Sequence, residues 1–176
     1  VDIFIVEPTA ERNYYTLVTS GMGAHRMNVP KELAEHKLER AEIVVYLPAD
    51  WNISDHEEKN YWPLRWLKIL ARLPLEEDSW LGWGHSVPNG KPFAENTQLS
   101  SVLLINPENV EEGAAVCQLP NGEEVNFYQM IPLYEEEVNF KIQNGAETLL
   151  GKMGEISAVV DIHRLNVCEG FGRPKE

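Results

Sequence analysis

Apolar and polar residues alternate along this chain with two distinct periods, and the points where the period changes mark its elements. The opening VDIFIV reads as a strand ended by Pro8 and Thr9. A second strand spans Tyr14–Ser20, where Tyr15, Leu17 and Thr19 alternate with Thr16, Val18 and Ser20 so that one set faces inward. Gly21 and Gly23 close it, since glycine tolerates the positive φ that a sharp turn needs. Residues 23–40 are polar and mixed in sign, which predicts an exposed connection carrying a short helix. Ile43, Val45 and Leu47 then alternate with Val44 and Tyr46, and Pro48 stops this third strand. The three early strands are expected to share one sheet.

The period lengthens after the polar stretch 50–60. Trp62, Trp66, Ile69, Leu70 and Leu73 recur at three- and four-residue spacing, with Arg65, Lys68 and Arg72 opposite, which predicts an amphipathic helix packed on the sheet. Asn60 is the expected cap, Pro63 falls in the first turn, and the helix is expected to end at Leu73-Pro74. Beyond Trp80 the β pattern returns: WLGWGHSVPNG (80–90) as strand and turn, and SSVLLIN (100–106) as a buried strand. AAVCQL (114–119) and EEVNFYQMIPL (123–133) form a hairpin through Asn121-Gly122. A helix is expected over 134–143, its Glu135-Glu136-Glu137 start complementing the helix dipole as a solvated face. A second short helix runs to about Met153, and ISAVVDI (156–162) reads as a last strand, with Asp161 and Arg164 expected to lock it as an ion pair or else to display charge to a ligand. Residues 169–176 are expected to be a flexible tail.

No internal repeat or composition break divides the chain, and 176 residues with 43% hydrophobic content suit one domain with a substantial core. The expected architecture over 1–176 is α+β: a single domain with a mixed, largely antiparallel sheet and helices packed on one side of it. Charge narrows the partners. Fifteen basic residues against 28 acidic ones give −13, which repels phosphate backbones and anionic membranes and attracts a cationic partner. No apolar run has membrane length and no signal peptide is visible, so a cytoplasmic location is the default expectation.

Candidate chemistry is sparse. The five histidines lack the spacing of a helical metal pair, and Cys117 and Cys168 do not form a metal-spaced pair, so neither a metal nor a cofactor is expected. Cys117 is expected to pack as a small apolar residue, and His85 to sit at a strand end, bonded to backbone or solvent. No Gly-x-Ser-x-Gly turn, dinucleotide fingerprint or Walker motif occurs, and a hydrolase using His85, Ser86 or Cys117 is the minor alternative. Five aromatics near turns, Tyr46, Trp51, Trp80, Trp83 and Phe93, are candidates either for the core or for a recognition surface. Tyr46, Trp51, Trp80 and Trp83, with Glu135 and Glu136, make up the expected partner-binding set.

The phrases YYTLVTSGMGA (14–24), AEIVVYLPADW (41–51), YWPLRWLKILARLP (61–74), DSWLGWGHSVPNG (78–90), VNFYQMIPLYEEE (125–137), NGAETLL (144–150) and VVDIHR (159–164) resemble, in this order, those of the suppressor of fused domain family. The resemblance is to the bacterial single-domain members. It implies a non-enzymatic protein-binding domain. Bacterial relatives look like immunity proteins of toxin systems, so the implied partner is a cognate basic toxin, neutralised by occlusion. The alternative that it implies is a regulator that pairs a partner strand with its sheet edge. The family's peptide contacts map onto residues 23–40 and the strand 41–47 as a region, without residue-level correspondence.

Overall fold

The computed structural model describes residues 1–155 and 158–172. Its centre is a seven-stranded sheet built of β1 (Asp2–Val6), β2 (Tyr14–Ser20), β3 (Arg40–Pro48), β4 (Ser86–Pro88), β5 (Ser101–Ile105), β6 (Val116–Gln118) and β7 (Glu124–Leu133). The order is β1-β2-β3-β7-β5-β4, with β6 pairing the first part of β7. Only β3 and β7 run parallel, and the other pairings are antiparallel, as expected of a mixed sheet. The α-helices among the described residues are α1 (Glu58–Glu76), α2 (Glu135–Asn144) and α3 (Ala146–Met153).

Helices lie on both faces of the sheet, against the expectation of one. Val102 and Leu104 of β5 join the α1 core with Ile43, Val45, Leu47, Trp62, Trp66 and Leu70. Leu103 and Ile105, which point the other way by strand alternation, pack with Leu133, Val138, Leu149 and Met153 of the α2–α3 side. In the first core Trp62 stacks on Phe93 with ring centroids 4.5 Å apart, and Trp66 meets Phe93 edge-on at 5.5 Å.

Several local expectations are corrected. Helix α1 starts at Glu58, where Asn60 is already helical and donates Nδ2 to Asp55 Oδ2 at 2.7 Å. The helix also continues through Pro74, which is buried, and Glu77 N closes its last turn on Leu73 O at 2.9 Å. Strand β4 is only three residues long, because the chain turns at Gly84 with φ +81°. The expected helix within 23–40 is two short 3-10 turns, Met22–Ala24 and Lys31–His36.

The last run is not a strand over 158–162, and residues 156 and 157 lie outside the described residues. Instead, the segment straps the cleft where β3 and β7 diverge, with Val160 N donating to Tyr46 O at 2.9 Å and Gln129 Nε2 to Ala158 O at 3.0 Å. The tail is packed at least to Phe171, whose ring meets Phe140 edge-on at 5.2 Å.

The TSGMG phrase is a carboxylate-held turn. Glu42, buried on β3, accepts from Thr19 Oγ1 at 2.5 Å and from Gly21 N and Gly23 N at 2.9 Å each. A Cβ on Gly23 would stand 3.0 Å from Val125 Cγ1 and 3.2 Å from Glu42 Oε1, so a side chain here would require those neighbours to give way. The motif therefore builds the fold.

Candidate functional site

The expected binding residues do not form one patch. Tyr46 is buried, its hydroxyl donating to Glu108 O at 2.8 Å and its ring edge-on to Tyr14, and burial pushes the phenol above its ordinary pKa. Trp51 is half-buried against Trp62 and donates Nε1 to Asn60 O at 2.9 Å. Trp80 is half-buried beside His85, with centroids 4.4 Å apart. Trp83 is 39% exposed and lines an apolar cavity of about 390 Å³ with Ile131 and Met153. Gly154 and Ala158 line it as well.

The three successive acids of α2 divide by direction, as residues about 100° apart on a helix must. Glu135 faces solvent, Glu136 is largely buried and accepts from Asn166 Nδ2 at 3.1 Å, and Glu137 is wholly buried. This corrects the expectation of a solvated helix start. Glu137 closes the helix start by accepting Tyr134 N at 2.8 Å. It also takes Arg164 Nη1 and Nη2 at 2.7 and 2.5 Å, and Val167 N at 3.2 Å. Arg164 thus pairs with Glu137, and Asp161 instead accepts His163 N at 3.0 Å. The guanidinium also donates to Pro132 O at 2.9 Å and lies 5.0 Å over the Tyr134 ring.

That anchored segment forms one wall of a groove of about 730 Å³, with α2 and the loop after β4 as the others. Leu165 and Ile142 stand on its rim at 86% and 70% exposure, the two most exposed large apolar side chains among the described residues. Glu135, Glu136 and Glu169 line the same groove. Its lining cations are Lys91 and Arg164, and the latter is held by Glu137. Apolar rims beside carboxylates suit a partner that combines apolar and cationic side chains. Of the expected residues, Glu135 and Glu136 fall here, while Leu165, Ile142 and Glu169 were not anticipated. Ile142 carried a misleading signal: it follows the buried Val138 by one helical turn, a spacing that predicts burial.

The regional mapping onto 23–40 and 41–47 also changes. Strand β3 is interior, paired by β2 and β7, and is no sheet edge. The 23–40 connection is tied to the β6–β7 hairpin: Arg40 Nη1 donates to Gly23 O at 2.9 Å and its Nε to Glu123 Oε2 at 3.1 Å, while Lys37 Nζ reaches Gly122 O at 3.1 Å. The Asn121 side chain foremost, with Arg40 and Arg26 behind it, holds the Glu123 carboxyl below its ordinary range. The free sheet edge with apolar side chains is β1, where Phe4, Ile5 and Val6 are exposed.

The residues of the hydrolase alternative have these partners. His85 Nδ1 accepts Gly82 N at 3.2 Å, a strand-end histidine bonded to backbone as expected, while Ser86 Oγ is engaged by Lys141 Nζ at 3.1 Å. Cys117 is exposed on β6, where the sequence predicted packing. Among the described residues no group of three or more His, Cys, Asp or Glu is placed to hold a metal ion, and no helix is long and apolar enough to cross a membrane.

The uncharacterized protein UU111 of Ureaplasma parvum serovar 3 is 27% identical over 164 residues, covering 93% of this chain and 77% of its own. Three solved structures share the fold. A protein described as a SUFU homologue from Neisseria gonorrhoeae FA 1090 matches with a TM-score of 0.67 and 20% identity, over 94% of this chain and 76% of that one. A chain of the Sufu–Fu complex matches at 0.63 and 15%, over 94% and 75%. Drosophila Suppressor of Fused matches at 0.64 and 15%, and this chain spans 42% of its length. The family model of the suppressor of fused protein (SUFU) matches residues 1–165, and the chain belongs to that family.

Proposed function

We propose that this chain is an immunity-type binding protein that neutralises a cognate bacterial toxin by occluding it, and that the groove beside α2 receives the toxin. The observation that carries this reading is the groove itself, which joins the exposed Leu165 and Ile142 to Glu135, Glu136 and Glu169. The net charge of −13 favours a basic partner. The Sufu–Fu complex supports a binding role, since a protein of this fold there engages another protein. A bacterial protein of the same fold and a bacterial sequence relative support a bacterial setting.

Stopped-flow kinetics against the product of the neighbouring reading frame test the proposal. Association should slow steeply as salt rises, because screening shortens the negative field to about 8 Å at physiological ionic strength. Dissociation should change far less. Glu135→Lys should slow association, and Leu165→Ser should speed release. An association rate indifferent to both salt and Glu135→Lys would remove the groove from the binding reaction.

A second reading has an observation of its own in the exposed Phe4, Ile5 and Val6 of edge strand β1: a regulator that adds a partner strand to the sheet edge. Ile5→Pro would then abolish binding while Leu165→Ser left it intact.

A further inference from the structure

Three Asn-Gly pairs occur in the chain, at Asn89-Gly90, Asn121-Gly122 and Asn144-Gly145. Asn-Gly is the dipeptide most open to self-modification, because glycine places no Cβ in front of the backbone nitrogen that attacks the asparagine carboxamide. The reaction needs that nitrogen free to lose its proton, so a glycine N–H committed to a backbone carbonyl is protected. The fold treats the three pairs differently.

Gly122 N is committed to Leu119 O at 3.0 Å, and the Asn121 side chain is held at both ends by Glu123, with Nδ2 donating to Oε2 at 2.7 Å and Oδ1 accepting N at 3.0 Å. Gly145 N is committed to Lys141 O at 2.7 Å at the end of α2, and Asn144 Nδ2 is turned back to Phe140 O at 3.1 Å. Gly90 N makes no hydrogen bond among the described residues. A Cβ built on Gly90 would meet nothing within 4 Å, so its surroundings are open to water. Asn89 is anchored through its own N to Ser100 O at 2.8 Å. Its Nδ2 donates past Gly90 to Lys91 O at 2.7 Å and reaches Pro92 O at 3.5 Å.

We propose that Asn89-Gly90 is a deamidation site selected by the fold. Gly90 N gives up its proton to solvent base and attacks Asn89 Cγ, forming the N–Cγ bond of a five-membered succinimide. The Cγ–Nδ2 bond breaks, and ammonia leaves after taking a proton from water. Water then opens the ring at either carbonyl, leaving an aspartyl or an isoaspartyl residue at position 89. The net change is one water consumed and one ammonia released, with no oxidant or cofactor. Gly90 and Lys91 line the acidic groove, so conversion sets a carboxylate beside a lining cation. Any effect on partner binding rests on the groove reading above, whereas the modification does not.

The test uses the purified chain alone, incubated at mildly alkaline pH and mapped by peptide mass spectrometry with fragmentation that separates aspartyl from isoaspartyl products. Conversion at 89 should outpace that at 121 and 144, rise with pH, and disappear in Asn89→Gln. The same incubation in denaturant should bring the three sites close together, since the ranking belongs to the fold. Faster conversion at 121 or 144 in the folded protein overturns the proposal, and so does a ranking that persists unchanged in denaturant.

Discussion

Replacing Glu137 by alanine is the most exacting perturbation of this structure. The carboxylate is wholly buried and Arg164 is 9% exposed, so the substitution leaves a buried guanidinium without its counter-charge. Breaking a buried pair by removing one partner costs about 3–5 kcal/mol. The backbone N–H groups of Tyr134 and Val167 also lose their acceptor, at about 1 kcal/mol or more each where no water replaces it. These terms overlap, and the net expectation is about 4 kcal/mol. In a chain of this length each kcal/mol moves Tm by about 3 °C, so the midpoint should fall by about 12 °C.

Denaturant unfolding at constant slope measures the loss, and a double-mutant cycle locates it. Arg164→Met in the Glu137→Ala background removes the stranded charge and should recover part of the stability, the two orphaned N–H groups accounting for what remains. The reasoning is refuted if Glu137→Ala costs less than about 1 kcal/mol, or if Arg164→Met adds its full single-mutant cost on top. The same substitution bears on the groove. Arg164 anchors the segment that carries Leu165 and Asn166, so partner association should suffer even at temperatures where the chain stays folded.

Two further expectations are narrower. Trp66→Ala should cost about 3–5 kcal/mol in denaturant midpoint analysis, since the indole is buried edge-on to Phe93, and a loss below about 1 kcal/mol would place it outside the core. Burial foremost, and then the Lys141 charge, push the His85 imidazole below its ordinary value, although a hydrogen bond to the Trp80 backbone acts the other way. Its stabilising contribution should therefore be complete above the unfolded value near ~6.5 and be lost as pH falls through the lower folded value. A ring-proton NMR titration with a midpoint above ~6.5 would contradict this.

The strands and helices were legible wherever one period held without competition. The bounds Tyr14–Ser20 follow directly from the alternation of β2 and the glycine after it. The run SVLLI in β5 carried more than was read from it: continuous apolar residues mark a strand covered on both faces, and both faces are covered, by α1 and by α2–α3. The end of α1 was misplaced because Pro74 disfavours helix for the residue before it, a local preference of a kcal/mol scale that burial of Pro74 overrides. The run VVDI failed as a strand for a topological reason. With β7 already beside the first half of β3, only the diverging second half is open, and there Val160 N donates to Tyr46 O.

The acidic character of the chain divides in a way that no sequence count resolves. Glu42 and Glu137 are consumed internally, one holding the turn after β2 and the other the segment around Arg164. Glu123 is consumed as well, engaged by Arg26 and Arg40. The groove displays a smaller set, Glu135 and Glu169 at the surface with Glu136 behind them, and that set exists as a surface because Glu137 fixes the opposite wall. Consecutive glutamates on one helical turn thus serve opposite purposes. A charge reversal at Glu135 tests recognition, whereas the same reversal two residues later tests folding, and only the direction of each side chain distinguishes them.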